Sequence, residues 1–166
     1  MKKLLYFLVA LFAVSQLSAQ IVKPVKWKSR VEKISGNEFK LIMEAAIDDQ
    51  WHVYSQFTPD DGPLPVTIDY KNAAGNYQLV GKTAESATKK QFNETFGVDE
   101  IYFEKKAVFT QKIKVTNAGL KKIEVALDYQ VCKEVCINDD VKFTFDLPKI
   151  EATKTAAIEP AEVLKT

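Results

Sequence analysis

On either side of a short interruption, residues 123–147 alternate apolar and polar side chains. Ile123, Val125, Leu127, Tyr129 and Val131 are separated by Glu124, Ala126, Asp128 and Gln130, and Val141, Phe143, Phe145 and Leu147 by Lys142, Thr144 and Asp146. Period-two alternation puts every second side chain on one face of an extended chain, so the stretch predicts two half-buried strands. The pattern recurs upstream. Val25, Trp27 and Val31 alternate with charged residues, Ser35-Gly36-Asn37 turns the chain, and Phe39, Leu41, Met43 and Ala45 return as the second arm of a hairpin. Residues 51–55 predict a short aromatic strand, and 58–63 a loop, because Pro59 and Pro63 fix φ while Gly62 permits positive φ. Val66, Ile68 and Tyr70 predict another strand, 72–76 a turn and 77–80 a further short strand. Residues 89–106 mix Phe92, Phe96, Tyr102 and Phe103 with Asn93, Glu94, Gly97, Asp99 and Glu100 without alternation, which predicts a long, partly ordered loop. Alternation resumes with Phe109, Ile113 and Val115, and 116–119 turns the chain into the stretch described first. Short strands in series, with no helical period between them, predict an all-β antiparallel sandwich with Trp27 and Trp51 in its core.

The N-terminus predicts export. Lys2 and Lys3 precede an uncharged apolar run at 4–14, and small and polar residues lead to Ala19. This is the pattern of a signal peptide, residues 1–19, cleaved after Ala19. An apolar run of about 11 residues is too short to span a bilayer, and no membrane span is expected after cleavage. The domain is expected at 20–150. The tail, 151–166, is rich in alanine, lysine, threonine and glutamate and has no apolar face, so no fixed structure is expected there. Loss of Lys2 and Lys3 takes the formal charge from +1 to −1. A chain so near neutrality lacks the basic footprint of a nucleic-acid binder or of a protein held on anionic lipid.

The interruption at 132–136 holds the chain's two cysteines, Cys132 and Cys136. In a straight strand, residues four apart lie about 13 Å apart, so a bond between these two requires a sharp bend. A ring this small would contribute about 2 kcal/mol on the chain-entropy model, and a domain of this length does not need it to fold. Spacing alone leaves two readings open: a redox pair, or a structural clip. Zinc is excluded, since two cysteines and the single histidine, His52, fall short of four ligands. No metal and no cofactor are expected. A thioredoxin site is excluded as well, because it would show C-x-x-C opening a helix. Without a helix N-terminus to stabilise a thiolate, only Lys133 favours ionisation, and Glu134 opposes it. If these sulfurs exchange, they act as a relay attacked by a more activated partner.

Tyr129-Gln130-Val131-Cys132, Cys136 and the strand ending at Leu147-Pro148 resemble the active-site end of the N-terminal periplasmic domain of DsbD, the thiol:disulfide interchange protein. Residues 93–102 resemble that domain's cap loop and 51–54 its aromatic strand beside the cysteines, so the likeness runs from about Trp27 to Pro148. The resemblance implies an immunoglobulin-like antiparallel β-sandwich and a thiol–disulfide oxidoreductase of the protein-disulfide reductase type. Cys132 and Cys136 would form the exchanging pair, with Phe92, Asn93, Glu94 and Phe96 in the cap and His52, Tyr54 and Tyr129 flanking the site. Phe96, with Phe92 as the alternative, would shield the sulfurs. The implied partners are a thioredoxin-like or membrane-embedded thiol donor and exported disulfide-containing acceptors. The family's membrane-spanning and thioredoxin-like parts have no counterpart in the sequence, so the donor is expected to be a separate protein. The competing expectation is an immunoglobulin-like binding module whose disulfide is purely structural.

Overall fold

The structure, a computed structural model, describes residues 22–149; the expected signal peptide and the expected tail lie outside the described residues. Among the described residues ten strands form: β1 (Val25–Ser35), β2 (Glu38–Ile47), β3 (His52–Tyr54), β4 (Thr67–Tyr70), β5 (Tyr77–Glu85), β6 (Lys89–Asn93), β7 (Val98–Glu104), β8 (Lys106–Val115), β9 (Lys122–Cys132) and β10 (Cys136–Asp146). One sheet runs β1-β2-β8-β5, the other β10-β9-β3-β7-β6, and β4 pairs with β9 farther along the edge that β3 occupies. All pairings are antiparallel. The molecule is an all-β, immunoglobulin-like sandwich.

The alternation sets which face is buried. From one sheet Phe39, Leu41, Met43, Phe109 and Ile113 point inward, and from the other Val53, Phe103, Val125, Leu127 and Val131 do so. Aromatic edges interlock between them: the Phe103 and Phe109 rings lie 5.5 Å apart at 73°, and Trp27 meets Tyr129 edge-on at 5.3 Å. Trp27 and Trp51 are half-buried and pack against this core from its margin.

One inward position of β8 is polar. Gln111 sits between Phe109 and Ile113 on β8 and is almost wholly buried. Opposite it, β5 slips register between Val80 and Ala84, where Gly81 takes φ +74°. Gln111 Nε2 donates to the carbonyls of Gly81 (3.3 Å) and Lys112 (2.7 Å). Its Oε1 accepts from Thr83 Oγ1 at 2.8 Å, and the Tyr70 hydroxyl closes the chain 2.8 Å from Thr83. The amide is thus satisfied by groups that a bulge would otherwise leave unpaired.

The loop expected at 89–106 is instead a hairpin. β6 and β7 pair from Lys89↔Tyr102 to Asn93↔Val98, with residues 94–97 as the turn. β6 is an edge strand carrying Lys89, Lys90, Gln91 and Asn93, so it has no apolar face to alternate with a polar one. On β7 the buried carboxyl of Glu100 interrupts the pattern further. The strand expected at 77–80 also continues past its bulge to Glu85.

Candidate functional site

β9 and β10 form a hairpin paired from Asp146↔Lys122 to Cys136↔Cys132, with residues 133–135 as its tip. The turn supplies the bend that pairing demands. The two cysteines become directly opposed residues, their Cα atoms 4.1 Å apart, and they are joined by a disulfide. The separation is that of a non-hydrogen-bonded antiparallel pair, in which side chains lie closest. The fold treats the two residues unequally: Cys136 is exposed, whereas Cys132 is 3% exposed.

Strand parity explains what covers Cys132. Tyr129 and Val131 face the core, so Cys132, one residue on, faces the outside of its sheet. There it meets the outward side chains of the neighbouring strands. His52 on β3 is directly opposite Cys132, and Glu104 on β7 is directly opposite His52. In the next row Tyr54 pairs with Tyr102, and these two rings bury Cys132 in a small cluster of their own outside the main core.

These residues enclose a recess of about 340 Å³, lined by both cysteines, His52, Tyr54, Tyr102, Glu100, Glu104, Gln91, Asn93, Phe96 and Lys133. His52 Nε2 lies 2.9 Å from the Tyr54 hydroxyl, and its ring is 5.1 Å from that of Tyr102. The Tyr102 hydroxyl donates to Gln91 Oε1 at 3.1 Å. Burial pushes the His52 imidazole below its usual 6.5, although Glu100 and Glu104 pull the other way. Burial likewise raises the Tyr54 phenol well above its usual range. Lys89, bonded to Glu104 at 2.5 Å, is the main cause that holds the Glu104 carboxyl below its ordinary value.

Asn93 builds the turn that closes one side. Its Oδ1 accepts from the amides of Thr95 (2.8 Å) and Phe96 (3.3 Å), and its carbonyl accepts from Gly97 (2.8 Å), which takes φ +71°. Its Nδ2 donates to Glu100 Oε1 at 2.5 Å, so the same side chain sets the turn and holds the buried carboxyl. Phe96 is thereby brought to the recess while remaining 50% exposed.

Of the residues expected from the sequence, the structure brings together Cys132, Cys136, His52, Tyr54, Asn93 and Phe96. It does not bring in three others. Phe92 lies on the opposite face of β6 from Gln91 and Asn93 and is 58% exposed. Glu94 is an exposed turn residue outside the lining. Tyr129 faces the core, where its hydroxyl donates to Asp139 Oδ2 at 3.1 Å and burial pushes its phenol up to about 12. Gln91, Glu100 and Glu104 were not anticipated, and Tyr102 was expected only as the end of a loop. Read as a strand, the alternation of Glu100, Tyr102 and Glu104 about Phe103 would have put all three on one outer face.

An exposed disulfide cysteine over a buried one, walled by aromatic and titratable side chains on an immunoglobulin-like sandwich, fits a thiol–disulfide interchange module. The family model for the N-terminal part of thiol:disulfide interchange protein DsbD matches residues 18–148. The chain belongs to that family. Among solved structures it is similar to the N-terminal periplasmic domain of ScsB from Proteus mirabilis, at 17% identity and TM-score 0.58, over 78% of this chain and 49% of that one. It therefore spans about half the length of that relative. It is also similar to the reduced N-terminal domain of DsbD from Neisseria meningitidis, at 19% identity and TM-score 0.44, over 73% of this chain and 83% of that one. No curated protein matches it. Among the described residues no helix is long and apolar enough to cross a membrane.

Proposed function

We propose that this chain is exported and relays reducing equivalents through Cys132 and Cys136, from a thioredoxin-like or membrane-embedded thiol donor to exported disulfide-containing acceptor proteins. The observation that carries the reading is the unequal burial of the two cysteines at the open end of a hairpin. A donor thiolate has access to Cys136 and not to Cys132. Its attack on Cys136 Sγ forms a mixed disulfide, breaks the Cys132–Cys136 bond and leaves the electron pair on Cys132 Sγ. The donor's second thiolate then attacks the donor's own sulfur in the mixed disulfide and releases Cys136. Two protons complete the dithiol. Delivery to an acceptor reverses the order: Cys136 attacks, and Cys132 closes the ring. Phe96, at the mouth of the recess, shields its buried side until a partner displaces it and leaves Cys136 exposed, while His52 and Tyr54 wall the buried sulfur.

The test is reduction of the oxidised protein by a thioredoxin-like protein while near-ultraviolet circular dichroism reports the fold. Reduction with the signal retained is expected, and Cys132→Ser should trap a mixed disulfide through Cys136 where Cys136→Ser does not. Reduction only after unfolding would leave the alternative, an immunoglobulin-like binding module with a structural clip.

A further inference from the structure

Ring closure poses a proton problem that the relay alone does not solve. When Cys136 has attacked an acceptor, Cys132 must become a thiolate to displace that acceptor from Cys136. It is buried under Tyr54 and Tyr102, and among the described residues no helix N-terminus stabilises negative charge there. The carboxyl groups of Glu100 and Glu104 face the same recess, and charge there opposes a thiolate. Bulk water reaches Cys132 poorly, so the proton needs a local acceptor.

We propose that His52 is the proton carrier for Cys132, taking up its thiol proton as the ring closes and supplying one when the disulfide is reduced. This rests on the relay reading. His52 is the residue directly opposite Cys132 on the neighbouring strand, and the two line the same recess. Its Nε2 is engaged with the Tyr54 hydroxyl, and Nδ1 has no protein partner among the described residues, which leaves that nitrogen for proton exchange. The other titratable groups facing it are Tyr54 on its own strand, Glu100, Tyr102 and Glu104 on β7, Lys89 on β6 (bonded to Glu104) and Lys133 in the hairpin tip. Burial favours the neutral imidazole, the form able to accept, while the two carboxyl groups favour the imidazolium once formed. In the closing step the proton passes from Cys132 Sγ to His52. The Cys132–Cys136 bond forms, the bond from Cys136 to the acceptor breaks, and the electron pair leaves on the acceptor's sulfur. His52 then returns its proton to solvent through the open side of the recess.

The experiment reacts the reduced full chain with excess aromatic disulfide (Ellman's reagent) under rapid mixing. The first thiolate release reports attack by Cys136 and the second reports ring closure. His52→Gln keeps a side chain able to bond Tyr54 but cannot carry the proton. Closure should slow about a hundredfold near neutral pH, the low end of a general-base contribution, and its pH profile should move up to follow thiol ionisation alone. An unchanged second phase, or both phases slowed equally with no change in pH profile, overturns the proposal. Because this reaction needs no protein partner, its outcome is independent of whether a thioredoxin-like donor acts on the pair. A second measurement uses the unmodified protein, whose single histidine gives one imidazole signal in nuclear magnetic resonance. Its titration should show a second inflection, from Cys132 ionisation, only in the dithiol state. Identical curves in the two redox states also overturn the proposal.

Discussion

Cys132 and Cys136 look equivalent in the sequence, and the fold makes them different by turning one toward solvent and the other under two tyrosines. The same asymmetry brings His52 into a site that makes its charge state matter for stability. Its folded pKa is depressed, so the unfolded chain binds the proton more readily in the window just below 6.5. The neutral ring's contribution is present above that pH and is lost as pH falls through the lower folded value. Urea unfolding across pH should therefore show stability falling on acidification from about 6.5, with the slope in this window flattened in His52→Gln. A matching slope in the variant would contradict the assignment. Glu44 and Glu104, both held below their ordinary 4.5, act in a separate and lower window. The cysteines were legible in the sequence because their spacing and flanking strands are local. The apposition of His52 and Cys132 was not, since it depends on the register between strands eighty residues apart in the chain.

At the scale of elements, two hairpins divide the work. β9–β10 holds the sulfurs in register through continuous pairing from Lys122 to Cys132, so the disulfide adds little to an arrangement the sheet already enforces. Replacing both cysteines with serine should lower the unfolding free energy by no more than about 2 kcal/mol, measured by denaturant titration. Failure to fold would favour the structural clip. The β6–β7 hairpin places Phe96 at the recess and Phe92 away from it. Phe96→Ala should accordingly speed reaction of the reduced pair with small oxidants, whereas Phe92→Ala leaves that rate unchanged. Both changes remove exposed rings and should alter stability by less than about 0.5 kcal/mol. If the two variants react alike, Phe96 is only a packing residue of the turn. The sequence did not reveal this hairpin, because an edge strand whose single apolar residue is the exposed Phe92 has no periodic signature. In β8 the alternation was visible on either side of position 111 but not at it, since a glutamine faces inward only where a bulge on the next strand offers it partners.

At the scale of the molecule, the core and the site lie on opposite faces of the same sheet. Strand parity alone separates them: Val53, Phe103 and Val131 face inward, while His52, Tyr102 and Cys132 face outward. That arrangement was only half legible in the sequence. Alternation showed which face of each long strand is buried, but three-residue β3 gave too few residues to mark its outer face as a site, and β7 lay in the stretch that reads as a loop. Phe109 is fully buried among Phe103 and Trp27, and Phe109→Ala should cost about 3–5 kcal/mol in chemical denaturation. In the fraction that remains folded, disulfide exchange should proceed at the wild-type rate. A large change in exchange rate would show that core packing and site geometry are coupled.

The position of the pair at the tip of a local hairpin also bears on how the protein matures. With two cysteines in the chain there is one intramolecular pairing, so no shuffling among wrong connectivities stands between the nascent chain and the native one. The loop to be closed spans residues 133–135, and hairpins form in microseconds, far ahead of disulfide chemistry. Sheet registration thus precedes oxidation and directs it. The protein can reach its fold as a dithiol and be oxidised already assembled, without an isomerase to correct it.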